Sequence, residues 1–343
     1  MKHLSWLLLA AILVVAGAAR AAENPPAASA AKAGEWVEIS EKVLKTLTDE
    51  GKKIGYPGKT AGMSVDRTTG DVFMVVPEQG IWKSTDRGET FTRVDGGKIG
   101  GRCETGFALS ADPAGKRLAC FMLDGSSGYT LDGGKTWESM KGNGRGWDVA
   151  SVDWSAEKPA AIFALRHESG GEIFTSDDLG KSWTLKGKGF SAVGLLDPKT
   201  FVATREKEMG IVRSTDGGEN WVKVSDLQPA GRDIRILGGV AYWTSVEGLL
   251  VSKDKGKTWA VQGKTVECSY GPYFGKTGKH IVVVGKKGLF ETKDGGETWN
   301  AVAPLPPQFG VQMPGWFLNF GWDPAANVFY ASTMGKPAYK YQR

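Results

Sequence analysis

The chain has 343 residues, 41% hydrophobic and 24% charged, with a formal net charge of +5. That length can bury a sizeable core, and the charge is too small to argue for a nucleic-acid surface. Gly occupies 48 positions and Trp 13, a glycine share about twice the usual one, so coiled coil, collagen and helical bundle give way to a turn-rich, aromatic-rich fold.

Lys2 and His3 precede an apolar run, Leu4 to Gly17, which ends in Ala18-Ala19-Arg20-Ala21-Ala22. A basic start, a short apolar core and an Ala-x-Ala exit are the parts of a secretory signal peptide. Residues 1–21 are therefore expected to leave, with cleavage after Ala21. The exit holds no Cys, which argues against a lipoprotein. Loss of Lys2 and Arg20 takes the net charge from +5 to +3. Residues 22–34, rich in Ala and Pro, read as a disordered leader, and 35–343 as a single domain, secreted or periplasmic. No later segment holds 18 consecutive apolar residues, so no membrane insertion is expected after cleavage. Cys103, Cys120 and Cys268 make an odd set for an oxidising compartment. A Cys103–Cys120 bridge is one reading, and small buried hydrophobes the other.

From residue 80 onward a repeat organises the chain. Six ungapped segments share the pattern [ST]-x-D-x-G-x-[TSN]-[WF], with their Asp at 86, 132, 178, 216, 254 and 294. Their spacings are 46, 46, 38, 38 and 40 residues, and a period near 40 with strand-like content signals a propeller or solenoid. Short β-runs flank each segment, as Gly210-Ile211-Val212-Arg213 and Trp221-Val222-Lys223-Val224 do. Each segment thus reads as a hairpin turn. Its Asp can accept backbone N–H bonds, its Gly can supply a positive φ, and its aromatic can pack on the neighbouring repeat.

These segments resemble Asp boxes, also called BNR repeats. Such boxes are found in sialidases, the sortilin ectodomain, some glucan hydrolases and the photosystem II assembly-factor family. The resemblance covers roughly residues 80–302 and implies a fold class rather than one activity. It also implies that the boxes are scaffold, on the face away from the ligand.

Each box falls between a third and a fourth strand, so six boxes give six blades. Trp316–Trp322, Val328–Ser332 and Ala338–Tyr341 supply three strands of a seventh. Glu35-Trp36-Val37-Glu38-Ile39 is available to complete it and close the ring. The expected fold is all-β, a seven-bladed β-propeller closed by its N-terminal strand.

Propeller ligands usually sit at the channel mouth built by inter-blade loops and by loops joining second to third strands. Arg102, Arg145, Arg166, Arg205 and Arg232 fall in such loops, and a guanidinium holds a carboxylate, sulfate or phosphate by a two-point fork. The competing reading is solvated charge paired with nearby Asp and Glu. Trp147, Tyr270 and Trp316 are candidates for stacking on a sugar ring, against a plain packing role. His167, beside Arg166, is a candidate base, and Tyr270 an alternative, for β-elimination from a uronate-type sugar. Glu247 and Glu267 are the candidate carboxylates for hydrolysis. There is no P-loop, G-x-S-x-G or H-E-x-x-H, and one usable mouth His cannot build an all-His metal site; neither cofactor nor metal is expected.

Two function classes remain. One is a secreted binder, or cleaver, of an anionic carbohydrate at the channel mouth, acting as a glycosidase or lyase if it is an enzyme. A sialidase is disfavoured because the [FY]-R-I-P segment of that family is missing; the nearest string is Ile234-Arg235-Ile236-Leu237. The other is a non-enzymatic protein-interaction scaffold like the assembly-factor propellers, which short loops suit.

Overall fold

The repeat turn is held by its first residue as much as by its Asp. In the computed structural model, which describes residues 33–103, 109–140, 146–232, 234–310 and 318–343, all six turns share one bonding pattern. Ser214 shows it. Its buried hydroxyl donates to Asp216 Oδ1 at 2.7 Å and accepts the Gly218 N–H at 2.9 Å. Asp216 then accepts the Asn220 N–H at 3.0 Å and the Asn220 side-chain amide at 2.8 Å. The position before the second glycine is left-handed too. Gly fills it at 133, 217 and 295, while Arg87, Leu179 and Lys255 adopt it at φ 57°, 56° and 57°, a conformation that strains side chains other than Gly.

Each turn joins the third and fourth strands of an antiparallel meander, and the described residues form seven four-stranded sheets. The first strands face one another around a central channel. They are Gly62–Val65, Leu109–Ala111, Trp147–Val152, Phe190–Asp197, Arg235–Leu237, Tyr270–Phe274 and Leu318–Asp323, for blades 1 to 7. The fold is a seven-bladed β-propeller.

Blade 7 closes the ring as expected. Its outer strand is Trp36–Glu38, antiparallel to Tyr339–Gln342, with Trp36 opposite Tyr341 and Glu38 opposite Tyr339. The Trp36 and Tyr341 rings lie 5.2 Å apart, and the Trp36 indole N–H donates to Pro304 O at 2.9 Å in blade 6. Among the described residues there is one helix, Glu41–Asp49, which the strand-based reading did not anticipate. It buries Val43 and Leu47 against strands of blades 1 and 7.

Packing between blades supplies the core. Trp137, the aromatic of the second repeat turn, is 2% exposed and lies among Phe73, Val75 and Ile81 of blade 1 and Leu118 and Cys120 of its own blade. Full burial of such a side chain is worth roughly 1.5–3 kcal/mol. Cys103, Cys120 and Cys268 are buried free thiols, so the bridge considered from the sequence does not form; the Cys103 sulfur lies against that of Met122. No helix among the described residues is long and apolar enough to cross a membrane.

Candidate functional site

The strand polarity fixes which turns share an end of the ring. In an antiparallel meander the 1–2 and 3–4 turns lie together, and the 2–3 turns share the other end with the inter-blade loops. The 1–2 turns carry a second repeat. In five blades the first strand ends in an Asp whose carboxylate folds back on its own turn. Asp66 accepts the Thr68 N–H at 2.9 Å and Asp112 the Lys116 N–H at 2.8 Å. Asp153 accepts from Ser155 at 3.1 Å, Asp197 from Thr200 at 2.8 Å, and Asp323 from Ala325 at 2.9 Å. These turns set the rim of the channel at the repeat-turn end.

A cavity of about 390 Å³ opens there, lined by the ends of all seven first strands. Its walls offer the half-buried rings of Trp154 and Tyr273, the small hydroxyls Ser64, Ser110 and Ser151, and the amide of Asn319. Two guanidinium groups, Arg67 and Arg235, join them. The Trp154 indole N–H donates to Ser110 at 3.3 Å, and Arg117 lies over its ring at 5.6 Å. Tyr273 packs against Phe320 with ring centres 4.8 Å apart. Polar groups set among aromatic faces in a concave site are the usual make-up of a small-ligand pocket. The acids of the wall are already engaged: Asp112 accepts from Arg117 at 2.9 Å, and Asp153 from the Ser155 hydroxyl at 2.5 Å.

Those of the residues singled out from the sequence that the structure describes lie at the opposite end. Arg102 is paired with Asp124 at 2.6 Å, Arg166 with Glu172 at 3.1 Å and Arg205 with Glu208 at 3.7 Å. Arg166 and Arg205 also cover the rings of Phe174 and Phe190, each at 4.8 Å. A carboxylate thus stands beside each of these three guanidinium groups. Trp147 is 4% exposed, with the Trp183 ring tilted against it at 4.1 Å and Phe174 edge-on at 5.5 Å. Its ring is a packing element rather than a stacking platform. Tyr270 is equally buried, and its hydroxyl accepts the Leu318 N–H at 3.4 Å, which leaves it poorly placed to act as a base on a bound sugar. Arg145 and Trp316 lie outside the described residues.

His167 does meet an acid. Its Nδ1 lies 2.6 Å from Asp148 Oδ1, and Nε2 lies 3.8 Å from Glu168. Asp148 also faces the buried Arg232 at 3.4 Å, and Arg232 donates to Ser191 O at 3.1 Å. Burial pushes the Arg232 pKa down, and Asp148 opposes the shift. Glu247 and Glu267 are both exposed, and Glu267 is paired with Lys286 at 3.3 Å. Between this end and the cavity a water-sized niche of about 10 Å³ touches Arg232, Ser269, Tyr270 and Asn319. No group of three or more His, Cys, Asp or Glu among the described residues is placed to hold a metal.

No family model matches the chain. It is 26% identical over 257 residues to a xyloglucanase of a Paenibacillus species, which is 65% of this chain and 23% of that one. It is 25% identical over 265 residues to the xyloglucanase Xgh74A of Acetivibrio thermocellus, covering 66% and 29%. The chain thus spans less than a third of the curated relatives it matches. Among solved structures, YCF48 bound to D1 peptide superposes with a TM-score of 0.53 at 14% identity, covering 91% of this chain and 96% of that one. An ancestral GH74 enzyme superposes at 0.52 with 16% identity, covering 85% and 46%. At such identities these likenesses show the fold.

The sequence reading missed Arg67, Arg235 and the cavity around them. One signal was present: the Asp-Pro pairs at 112, 197 and 323 mark the 1–2 turns as a regular series.

Proposed function

We propose that this protein is a carbohydrate-binding propeller, secreted or periplasmic, that takes its ligand into the channel cavity at the repeat-turn end. In its narrower form the ligand is an acidic glycan. The repeat turns are Asp boxes in this reading, and here they share an end with the site. The observation that carries the proposal is the make-up of the cavity: partly exposed Trp154 and Tyr273 rings beside small hydroxyls, an amide and two guanidinium groups. Aromatic rings cover the apolar face of a sugar, while the polar groups match its hydroxyls. The similarity to two xyloglucanases points to the same ligand class.

Binding without hydrolysis is the form the wall favours. Hydrolysis needs two carboxylates roughly 5–10 Å apart, one of them free to donate a proton. Asp112 and Asp153 are instead engaged by Arg117 and by the Ser155 turn. A second reading, a protein-docking scaffold, is favoured by the whole-length likeness to YCF48 bound to D1 peptide. Titration calorimetry against a glycan panel separates the two. Wild type should bind a subset of oligosaccharides without releasing reducing ends. Trp154→Ala and Tyr273→Ala should each weaken that binding about tenfold or more. Binding that survives both substitutions would place the ligand elsewhere, and silence across the panel would favour the scaffold.

A further inference from the structure

Arg67 stands in the 1–2 turn of blade 1, just after Asp66. Its backbone N–H donates to Ala114 O in blade 2 at 2.7 Å. The side chain then crosses the cavity mouth. Nη1 donates to Pro113 O in blade 2 at 3.0 Å, and Nη2 to Gly275 O in blade 6 at 2.6 Å. Blade 7 stands between blades 6 and 1, so this guanidinium spans the opening instead of lying along one wall. Its Nε is buried without a partner. No ion pair holds it among the described residues. Asp323 acts on it through space, but that carboxylate is bonded to Arg87 at 3.2 Å. Burial lowers the Arg67 pKa, and Asp323 opposes that shift without cancelling it.

A partly buried cation held only by backbone carbonyls is costly, and the cost falls when an anion arrives. Arg235 adds a second positive charge to the same wall, with its guanidinium 5.9 Å from the centre of the Tyr273 ring. The geometry points to Arg67 as the residue that reads the charge of the ligand, accepting into its fork the carboxylate of a uronate-class sugar that enters the cavity. The carboxylate takes two N–H bonds as the guanidinium leaves Gly275 O, a pairing that only a planar fork can make. This inference rests on the carbohydrate reading of the cavity.

The test is titration calorimetry on the full chain with oligogalacturonate, the matching neutral galacto-oligosaccharide and sulfate, for wild type, Arg67→Gln and Arg67→Lys. Thermal melts check that each variant folds. Wild type should prefer the acidic oligomer by roughly ten- to a hundredfold. Arg67→Gln should lose that preference, its affinity for the acidic oligomer falling to that for the neutral one. Arg67→Lys should keep part of it, with a steeper dependence on salt because a point charge replaces the fork. If Arg67→Gln does not fold, Arg67→Lys decides: a preference equal to wild type overturns the assignment. Equal binding of both oligomers by wild type also overturns it, while the carbohydrate reading stands. Binding of sulfate alone, lost in Arg67→Gln, keeps the charge-reading role and removes the carbohydrate. No binding of any probe removes both.

Discussion

Replacing Thr292 by Val tests what holds a repeat turn. Thr292 is 0% exposed, and its hydroxyl accepts the Gly296 N–H at 2.8 Å while donating to Asp294 Oδ1 at 2.7 Å. Val keeps the shape and removes both bonds, together with the longer one from the Asp294 N–H at 3.4 Å. The Gly296 N–H, at a buried position, is then left without an acceptor, and an unmade buried bond costs about 1–3 kcal/mol. Thr292→Ser keeps the hydroxyl and loses one methyl group, worth about 1 kcal/mol or a little less. Equilibrium urea unfolding of both variants measures the difference. The midpoint should fall for Val well beyond the fall for Ser, with the slope unchanged. Equal midpoints for Val and Ser would refute the argument that the hydroxyl, rather than side-chain volume, organises the turn.

Deleting residues 35–39 should remove the outer strand of blade 7 and expose the edge of Tyr339–Gln342, giving a large fall in melting temperature or aggregation; unchanged melting and solubility would defeat the closure by the N-terminal strand. Asp178 and Asp254 are held down to about 2, led by the Ser182 hydroxyl bond in the first and the Thr258 N–H bond in the second. Their contribution is complete above the unfolded value of about 4 and is lost as pH falls through the folded value. Melting temperature should therefore drop between about pH 4 and pH 2, and a flat profile across that window would contradict the turn geometry. Burial pushes the Cys268 thiol up to about 12 and raises those of Cys103 and Cys120. A thiol reagent at pH 8 should leave the folded protein unlabelled and modify all three cysteines after denaturation, so fast labelling of the native state would speak against these burials.

The ring was legible because its signal is local chemistry repeated at a fixed period. Six Asp residues with a Gly two positions on mark six turns, and three strands without a fourth at the C-terminal end call for one from the other end. The helix at Glu41–Asp49 escaped because only Val43, Leu44 and Leu47 form its apolar face. That is a weak period in a segment too short to stand out. The polar residues at the inter-blade end were legible as charged loops, but not their pairing. Whether Arg102 is open or bonded depends on Asp124, 22 residues away, and sequence spacing says nothing about that distance.

With the ligand in the cavity, as proposed, the repeat turns are not remote scaffold, because bonds link them to the cavity rim. In blade 4 the Gly217 N–H donates to Lys199 O at 3.0 Å, and in blade 6 the Gly295 N–H donates to Lys279 O at 3.0 Å. Both carbonyls belong to 1–2 turns. Neighbouring blades are tied the same way. Lys255, in the repeat turn of blade 5, bonds Asp197 of blade 4 at 3.1 Å, and Arg87, in that of blade 1, bonds Asp323 of blade 7 at 3.2 Å. The 3–4 turns therefore fix these 1–2 turns, and in blade 3, whose 1–2 turn carries Trp154, the Leu179 N–H donates to Ala160 O at 2.8 Å. A ring built in this way positions its cavity wall through the same elements that set its blade count. Damage to a repeat turn should loosen the adjoining part of the rim before it unfolds the ring, because the bonds to the rim are few and the inter-blade core beneath is large.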